Sequence, residues 1–555
     1  MINNQKMPRS ELPEWLNLQC KAKDMGHLHL RDLANDQERH RALTVKVGPF
    51  FLDISKQKLD VDALKKLISL AEAVELPNAI KSLIGGDIVN NTEGRPALHS
   101  ALRLPVDAKL IINGEDVVPE VHQSLARIRQ IVERVHSRQW RVFSGRSITD
   151  VVNIGVGGSD LGPFMACQAL NEFVPTEASQ LKIHFVSSID GTQVSDLLGT
   201  LKPETTLFIV SSKSFTTIDT LSNAHTAMQW MLKSVGDKSL ILAHHFIGVS
   251  TQPQKMAAWG IPENNQVLFW EWVGGRFSLW SGIGLPIALK IGMANFEAML
   301  AGAHFIDNEF SQKPLAENLP VLLGLIGVWN ATFLDIRAHS VLPYDGRLKF
   351  FPSYLSQLEM ESNGKSVDKQ GNRLNYSTCP VLWGEVGPNA QHAFYQLLHQ
   401  GTQPVSCDFI APIKRYTGTI YSKEAEKSLQ VQHQLALANC LAQSRVLMLG
   451  DASTDSDENT PNFKRYQGNQ PSTTLLLDEL SPFTLGGLVA LYEHKVFVMS
   501  VIWDINPFDQ WGVELGKKIA DKMTNALTNG EGIAGFDAST CGLLDLVRQA
   551  ERSVS

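Results

Sequence analysis

The chain has 555 residues, which is too long for one hydrophobic core and predicts about three to four domain-sized units. Hydrophobic residues make up 43% of the chain and charged residues 19%, a composition typical of ordinary globular proteins. The net charge of −7 argues against a nucleic-acid partner or an anionic membrane surface, although a few local donors are enough to bind a small anion.

Cysteine usage and hydropathy predict a cytoplasmic protein. The six cysteines are irregularly spaced and form no CxxC pair, so no zinc or redox motif is indicated, and free thiols fit a reducing compartment. The first 15 residues are polar and lack the apolar core of a signal peptide. The most apolar late stretch, residues 485–505, is interrupted by Glu493, His494 and Lys495, which argues against a membrane span and a membrane partner.

The order of predicted elements indicates an α/β fold with doubly wound, mainly parallel sheets. Residues 1–119 are predicted to be mainly helical and to pack onto the larger of two later domains. Over residues 120–290, helix-like stretches separate five short apolar runs typical of buried parallel strands. These runs are TDVVNIGV, IHFVSS, TTLFIVSS, HHFIGVS and NQVLFWEW. The alternation predicts a first αβα sandwich.

The same alternation returns over residues 291–512 and predicts a second αβα sandwich. Its predicted strands are CPVLWGE, VSCDFIAP, RVLMLG and STTLLLD. The remaining residues, 513–555, are predicted to form a C-terminal helical arm. Because parallel sheets bind ligands beyond the carboxyl ends of their strands, motifs that follow strands carry the most weight.

A glycine loop follows the first of these strands in VVNIGVGGSDLGP, residues 151–163. Gly158 and Ser159 lie where a helix begins, and backbone N–H groups at a helix N-terminus bind anions. The motif is neither a full dinucleotide fingerprint nor a P-loop. A tight turn capped by Ser159 or Asp160 is an equally good interpretation from these residues alone.

A hydroxyl-rich loop follows a later strand in FIVSSKSFTTIDT, residues 208–220. Ser212, Lys213, Ser214 and Thr217 crowd hydroxyls and one ammonium ahead of a helix, which suits a phosphate monoester. The alternative is a capping box with surface threonines. The presence of this loop and the glycine loop on neighbouring strands favours a phosphate site.

Two further motifs carry charge. In VGGRFSLWSGIGLP, residues 273–286, Arg276 follows a glycine pair and is suited to bind an anion or a developing negative charge. In QLEMESNGK, residues 357–365, Glu361 is a candidate general base. A solvated helical ion pair between Glu361 and Lys365 is the alternative, and a lone carboxylate does not decide between them.

The segment GPNAQHAFYQLLHQGT, residues 387–402, is predicted to be one helix with His392 and His399 on the same face. Their spacing of seven residues is too wide for both to bind one metal ion. His392 is either an acid–base group or an ordinary packing histidine. No metal ligand is predicted.

The segment FDQWGVELGKKI, residues 508–519, is predicted to be helical with Gln510, Glu514 and Lys517 on one face. Two glycines weaken this helix by about 1 kcal/mol each, which is unexpected unless another group approaches closely. A water-facing Glu–Lys pair is the alternative but does not explain both glycines.

Taken together, these motifs resemble the phosphoglucose isomerase family over about residues 80–520. NNTEGRPALHSALR and ALYEHKVFV also follow the family pattern, in the family order. The resemblance implies two sugar-isomerase (SIS-like) αβα sandwiches and interconversion of glucose 6-phosphate and fructose 6-phosphate through a cis-enediol. It also implies a homodimer with the active site at the subunit contact, and neither a metal nor an organic cofactor.

The resemblance further implies roles for individual residues. Glu361 would be the base that moves a proton between C1 and C2, and Arg276 would stabilise the enediol. His392, supplied by the partner subunit, would open the sugar ring with help from Lys517. The phosphate would be held by Ser212, Lys213, Ser214 and Thr217, and the sugar by Gly158, Ser159, Gln357 and Gln510.

The chain departs from the family pattern at three positions, Ser214, Ile218 and Asp219, where the family usually has Thr, Gln and Glu. Ser214 keeps the hydroxyl, so we expect phosphate binding to survive. Two alternatives stay open: an isomerase that also accepts mannose 6-phosphate, and a catalytically silent sugar-phosphate binder. Retention of Glu361 and Arg276 argues against the silent binder.

Overall fold

Two β-sheets flanked by helices organise most of the chain in this computed structural model. The structure describes residues 7–416, 422–454, 460–529 and 535–554. The chain separates into two units, Met1–Pro507 and Phe508–Ser555, and each is described by itself. The domain boundaries at residues 119, 290 and 512 stay predictions.

The N-terminal region is mainly helical, as its sequence predicts, but it also supplies two strands to the second sheet. Its elements are α1 (Pro13–Gly26), α2 (Gln37–Ala42), β1 (Thr44–Val47), β2 (Phe50–Asp53), α3 (Val61–Ala73) and α4 (Leu76–Gly85). A short hairpin of β3 (Ile111–Ile112) and β4 (Glu115–Asp116) then leads into α5 (Val118–His136).

The first sheet contains all five strands predicted for its region, and every pairing in it is parallel. Its elements are β5 (Asp150–Ile154), α6 (Leu161–Ala169), β6 (Lys182–Val186), α7 (Thr192–Leu198), β7 (Thr206–Ser211), α8 (Ile218–Val235), α9 (Lys238–His245), β8 (Phe246–Ser250), α10 (Pro253–Trp259) and β9 (Gln266–Leu268). The strand order β6-β5-β7-β8-β9 places β5 and β7 side by side. The glycine loop and the hydroxyl-rich loop therefore leave the same edge of the sheet.

Two helices, α11 (Leu285–Gln312) and α12 (Leu319–Val328), precede the four remaining strands of the second sheet. That part of the chain contains β10 (Ala338–Pro343), α13 (Phe351–Ser356), β11 (Val381–Gly384), α14 (Gly387–Ala393), α15 (Tyr395–Gln400), β12 (Val405–Lys414), α16 (Lys423–Leu449), β13 (Ser472–Glu479) and α17 (Pro482–Ile502). The strand order is β1-β2-β13-β12-β10-β11, parallel except where β2 pairs with β13 and with β1.

One predicted strand of this region is wrong. The run RVLMLG lies at the end of α16, where Leu447, Met448 and Leu449 are buried. A short apolar run does not distinguish a buried strand from the buried end of a helix. Conversely, the sequence analysis missed β10, whose run AHSVLP begins with small and polar residues.

Helix α17 lies at the centre of the first unit, and every residue from Thr484 to Ile502 is buried. It packs closely against α11, because a Cβ atom added at Gly486 would lie 1.9 Å from the carbonyl oxygen of Met299. Among the described residues, Gly282–Gln312 and Pro482–Ile502 are long and apolar enough to cross a membrane, yet 67% and 100% of their most apolar windows are buried in the fold. Core helices pass the same test.

The second unit contains α18 (Glu514–Asn529) and α19 (Ala538–Val554). Its start corrects a prediction, because α18 begins at Glu514 and Gln510 precedes a separate turn, Trp511–Val513. Gln510 is therefore not on one helical face with Glu514 and Lys517. Gly512 lies inside this turn, whereas Gly516 lies within α18.

Candidate active site

The glycine loop approaches the segment that carries Arg276. The turn Gly157–Ser159 follows β5, and a Cβ atom added at Gly158 would lie 2.0 Å from the carbonyl oxygen of Gly275. The Ser278 hydroxyl donates to the carbonyl oxygen of Gly275 at 2.6 Å. Gly158 is thus required for close packing of two backbones, a reason that its sequence motif alone does not reveal.

The hydroxyl-rich loop gathers its side chains immediately after β7. The hydroxyls of Ser212 and Thr217 are 3.1 Å apart, and Thr216 donates to the Ser214 hydroxyl at 2.8 Å. Between them, Phe215 adopts a left-handed conformation with φ of 49°, and its N–H donates to the Ser212 hydroxyl. This turn brings together the hydroxyls that the sequence analysis assigned to phosphate binding.

The Lys213 ammonium points elsewhere. It donates to the carbonyl oxygens of Glu271 at 2.7 Å and Val273 at 2.8 Å. Burial, together with repulsion from Arg95, lowers the pKa of Lys213 to about 8, against the attraction of Glu271. The side chain therefore links the hydroxyl-rich loop to the segment before Arg276, whereas the sequence predicted that the ammonium binds a phosphate.

Arg276 and Glu361 face each other. The Arg276 Nη1 atom lies 3.5 Å from Glu361 Oε1, and the arginine side chain is only 2% exposed. The guanidinium is also fixed by donating from Nε to the Ser362 hydroxyl at 2.6 Å and from Nη2 to the carbonyl oxygen of Pro507. A positive charge is thereby held beside a carboxylate, in a site that is largely closed to water.

Glu361 ends a π-helical turn, Gln357–Glu361, that directly follows α13. Turns of this kind are rare and occur frequently at functional sites. A Cβ atom added at Gly157 would lie 3.1 Å from Gln357 Nε2, so this amide lies against the glycine loop. Among the described residues, Glu361 Oε2 and Gln357 Oε1 are buried and have no hydrogen-bond partner. Both atoms are available to a ligand.

Two glutamates of this turn differ in environment. The Glu361 carboxylate is 20% exposed, whereas Glu359 is buried and forms an ion pair with Lys495 at 2.8 Å. The Lys365 ammonium donates to the backbone carbonyl oxygens of Glu361 and Ser362. The predicted alternative of a solvated ion pair on a helix surface does not describe this turn, which packs into the interior.

His392 is exposed on α14, and the predicted single helix is wrong. The backbone of Phe394 leaves the helical conformation at φ of −144°, which separates α14 from α15. His392 and His399 therefore do not share a helix face. No hydrogen bond joins His392 to Glu361 or Arg276 among the residues that the structure describes.

In the second unit, Lys517 donates to the Glu514 carboxylate at 2.9 Å, and its side chain is 64% exposed. This is the water-facing Glu–Lys pair that the sequence analysis kept as the alternative.

The sequence analysis missed two residues beside this site, Ser362 and Lys495. The charged triplet EHK within an apolar helix is a signal for Lys495, because a buried charge requires a partner. Within the described ranges, no group of three or more His, Cys, Asp or Glu side chains is arranged to hold a metal ion. The hydroxyls gathered in the hydroxyl-rich loop are groups that suit a phosphate ligand.

Comparison with known proteins agrees with this arrangement. Residues 53–544 match the phosphoglucose isomerase family model. The chain belongs to that family. It is 56% identical to glucose-6-phosphate isomerase 2 of Chromohalobacter salexigens over 545 residues, which cover 97% of each chain. It is 58% identical to glucose-6-phosphate isomerase of Psychrobacter cryohalolentis over 525 residues, or 93% of each.

The fold of this family member is also similar to a solved structure. A glucose-6-phosphate isomerase from Chlamydia trachomatis superposes with a TM-score of 0.84 at 30% identity, covering 98% of this chain and 100% of the other. The predicted fold class, two sugar-isomerase-type αβα sandwiches with mainly parallel sheets, is confirmed.

Proposed function

We propose that the protein is an isomerase that interconverts glucose 6-phosphate and fructose 6-phosphate through a cis-enediol. The observation that carries the proposal is the Glu361 carboxylate 3.5 Å from the buried Arg276 guanidinium, beside two loops suited to a phosphorylated sugar. Relatives that are more than half identical over nearly the whole chain carry the name glucose-6-phosphate isomerase.

Glu361 is the proposed base that moves the proton between C1 and C2. Removing a proton next to a carbonyl group leaves negative charge on the oxygen, and a fixed donor at that oxygen lowers the barrier. Arg276 supplies a permanent charge that does not compete for the proton. Its bond to Ser362 supports this role, because it fixes the guanidinium relative to the same turn that ends in Glu361.

The phosphate is proposed to bind Ser212, Ser214 and Thr217 through their hydroxyls. We assign Lys213 to the same site through its backbone, because its ammonium is already bound by two carbonyl oxygens. The phosphate is remote from the reacting carbons, so its binding energy can orient the sugar.

Four residues are proposed to position the sugar: Gly158, Ser159, Gln357 and Gln510. For Gln357, the support is an unpartnered amide oxygen beside the glycine loop. Ring opening is assigned to His392 with help from Lys517, because imidazole exchanges protons near neutral pH.

A homodimer in the cytoplasm is part of the proposal. The second unit exposes Leu515 and Trp511, and also Leu543 and Leu546 of α19, which are more than half exposed. Apolar surface of this kind marks association sites. An exposed His392 fits a group that acts on the partner subunit's substrate. Within the described ranges the cysteines form no disulfide, which is typical of a reducing compartment.

The activity can be tested by treating the purified protein with a chelator, adding fructose 6-phosphate and following glucose 6-phosphate with a coupled dehydrogenase. Rapid formation that resists the chelator is expected. Mannose 6-phosphate, assayed in parallel, measures how strictly the site selects the configuration at C2. Absence of turnover, with metal ions failing to restore it, would favour the silent binder.

The base assignment is tested by Glu361→Gln. We expect kcat to fall by about 10²–10⁴-fold with little change in KM, because the amide keeps the shape of the side chain but cannot take the proton. The exposed Glu317→Gln is the matched control and is expected to leave both constants unchanged. Near-normal turnover of Glu361→Gln would show that another group is the base.

A further inference from the structure

Helix α17 carries four consecutive polar residues, Tyr492, Glu493, His494 and Lys495, that are each 3% exposed or less. Burying charged groups is costly unless each is paired. The four residues are all paired, and each contacts a different segment of the first unit. Two of these segments are the ones that carry Arg276 and Glu361.

Lys495 contacts the turn that ends in Glu361. Its ammonium donates to Glu359 Oε2 at 2.8 Å, and Glu359 lies two residues before Glu361 in the same π-helical turn. Burial alone lowers the pKa of Lys495, but attraction to Glu359 and Asp408 outweighs it and raises the pKa. The pair is therefore an ionised contact that holds the turn against α17.

Glu493 contacts the turn that carries Arg276. Its Oε1 atom accepts a hydrogen bond of 2.8 Å from the indole of Trp280, the last residue of the turn Gly275–Trp280. Its Oε2 atom accepts one of 2.7 Å from Arg103. The guanidinium of Arg103 also lies over the Trp280 ring, 4.7 Å from its centroid, and holds the indole from a second side.

The other two residues fix α17 itself. Tyr492 donates to the Asp408 carboxylate of β12 at 2.8 Å. The imidazole of His494 lies 2.7 Å from the Asp307 carboxylate of α11. Helix α17 is thus tied both to the second sheet and to the other long core helix.

We propose that α17 sets the distance between Arg276 and Glu361, with Lys495 acting through Glu359, and Glu493 acting through Trp280, as positioning residues. Neither residue touches the reacting groups. The inference rests on the proposed roles of Arg276 and Glu361. Its physical basis is that catalytic groups must be held to a fraction of an ångström, so the contacts behind them affect turnover more than substrate binding.

The test compares Glu359→Gln with Glu359→Met. Both substitutions remove the carboxylate charge and keep a similar shape, but only glutamine keeps an acceptor for the Lys495 ammonium. We expect Glu359→Met to lower kcat by about 10–100-fold, the scale of a small misplacement of a catalytic group, and Glu359→Gln to stay within about threefold of wild type. KM for fructose 6-phosphate should change little in either variant.

A second measurement reports on the chemical step. With glucose 6-phosphate deuterated at C2, the isotope effect on kcat should increase in Glu359→Met, because proton abstraction then limits turnover. Ser481→Ala is the control, because it removes the side-chain cap at the start of α17, three turns before Glu493 and Lys495. It should lower the melting temperature without changing kcat or the isotope effect.

If Glu359→Met does not fold, the double variant Glu359→Met with Lys495→Met removes both buried charges and replaces the pair with apolar groups of similar volume, which buried ion pairs often tolerate. It should melt near wild type and still turn over slowly. Equal kcat values for Glu359→Gln and Glu359→Met, or normal turnover of the double variant, would overturn the positioning role. If Glu361→Gln is inactive while these variants behave normally, the positioning proposal fails but the proposed role of Glu361 as the base stands.

Discussion

Lys213 illustrates how one side chain takes a role that its motif does not indicate. Because Ser212 and Ser214 flank it, Lys213 was predicted to bind a phosphate through its ammonium. In the structure that ammonium is bound by the carbonyl oxygens of Glu271 and Val273. Burial costs the charged form more than these contacts recover, and the pKa falls to about 8. Below that pH Lys213 is charged in the folded protein, and burial of this charge lowers the free energy of unfolding.

This cost predicts a pH-dependent stability. The pKa of Lys213 is about 8 in the folded protein and 10.5 ordinarily, so the folded state binds the proton less tightly than the unfolded chain. The stability of the wild type relative to Lys213→Met should therefore rise as the pH increases from about 8 towards 10.5. Melting temperatures of both proteins across this range measure the difference, which would not vary with pH if the ammonium were fully solvated.

At the scale of elements, the proposed active site consists of several turns that contact one another. The glycine loop after β5 lies against the turn that carries Arg276, and that turn faces the π-helical turn that ends in Glu361. The glycine pattern was read from the sequence as equally consistent with an anion site or a capped turn. The structure gives a third explanation for the glycine at position 158, which is its close approach to the backbone of Gly275.

That contact predicts that alanine substitution destabilises the protein at Gly158 but not at Gly275. In Gly158→Ala the new methyl group would overlap the carbonyl oxygen of Gly275, so we expect a loss of about 1–3 kcal/mol in the free energy of unfolding and reduced turnover. In Gly275→Ala the methyl group meets no atom within 4 Å, and the stability should stay within about 0.5 kcal/mol. Chemical denaturation and initial rates distinguish the two, and equal effects would contradict the packing argument.

At the scale of the whole molecule, the proposed roles of Glu361 and His392 predict how many chains form one active site. Arg276 and Glu361 lie together in the first unit, whereas His392 is exposed on α14 without a hydrogen bond to either of them among the described residues. The proposed homodimer gives His392 a place in the site of the partner subunit, because the symmetry of a dimer brings the same two surfaces together twice.

A mixing experiment tests the shared site. Glu361→Gln and His392→Asn should each be nearly inactive alone. If His392 serves the partner subunit, a mixed dimer contains one intact site, so random reassociation of equal amounts should recover about a quarter of wild-type activity. Recovery should not occur if His392 acts on its own subunit, since every site would then lack one group. Sedimentation of each variant alone provides the control for dimer formation.

The sequence by itself determined the local elements and the residue types at the site. The five strands of the first sheet follow from their apolar, β-branched runs, because burial on both faces requires such residues. The loops after β5 and β7 follow from their glycines and hydroxyls, and the order of the motifs identified the family. Prediction failed where one local pattern fits two structures. RVLMLG was predicted as a strand but ends α16, and the break between α14 and α15 at Phe394 was not predicted.

The tertiary structure alone decided which side chains meet. Lys495 and Glu359 are 136 residues apart, and Arg276 and Ser362 are 86 apart, so no periodicity in the sequence relates them. It also decided that Lys213 binds carbonyl oxygens, and that Gln510 lies outside α18. Periodicity along the chain records how deeply a residue is buried, whereas the identity of its partner depends on packing between distant segments.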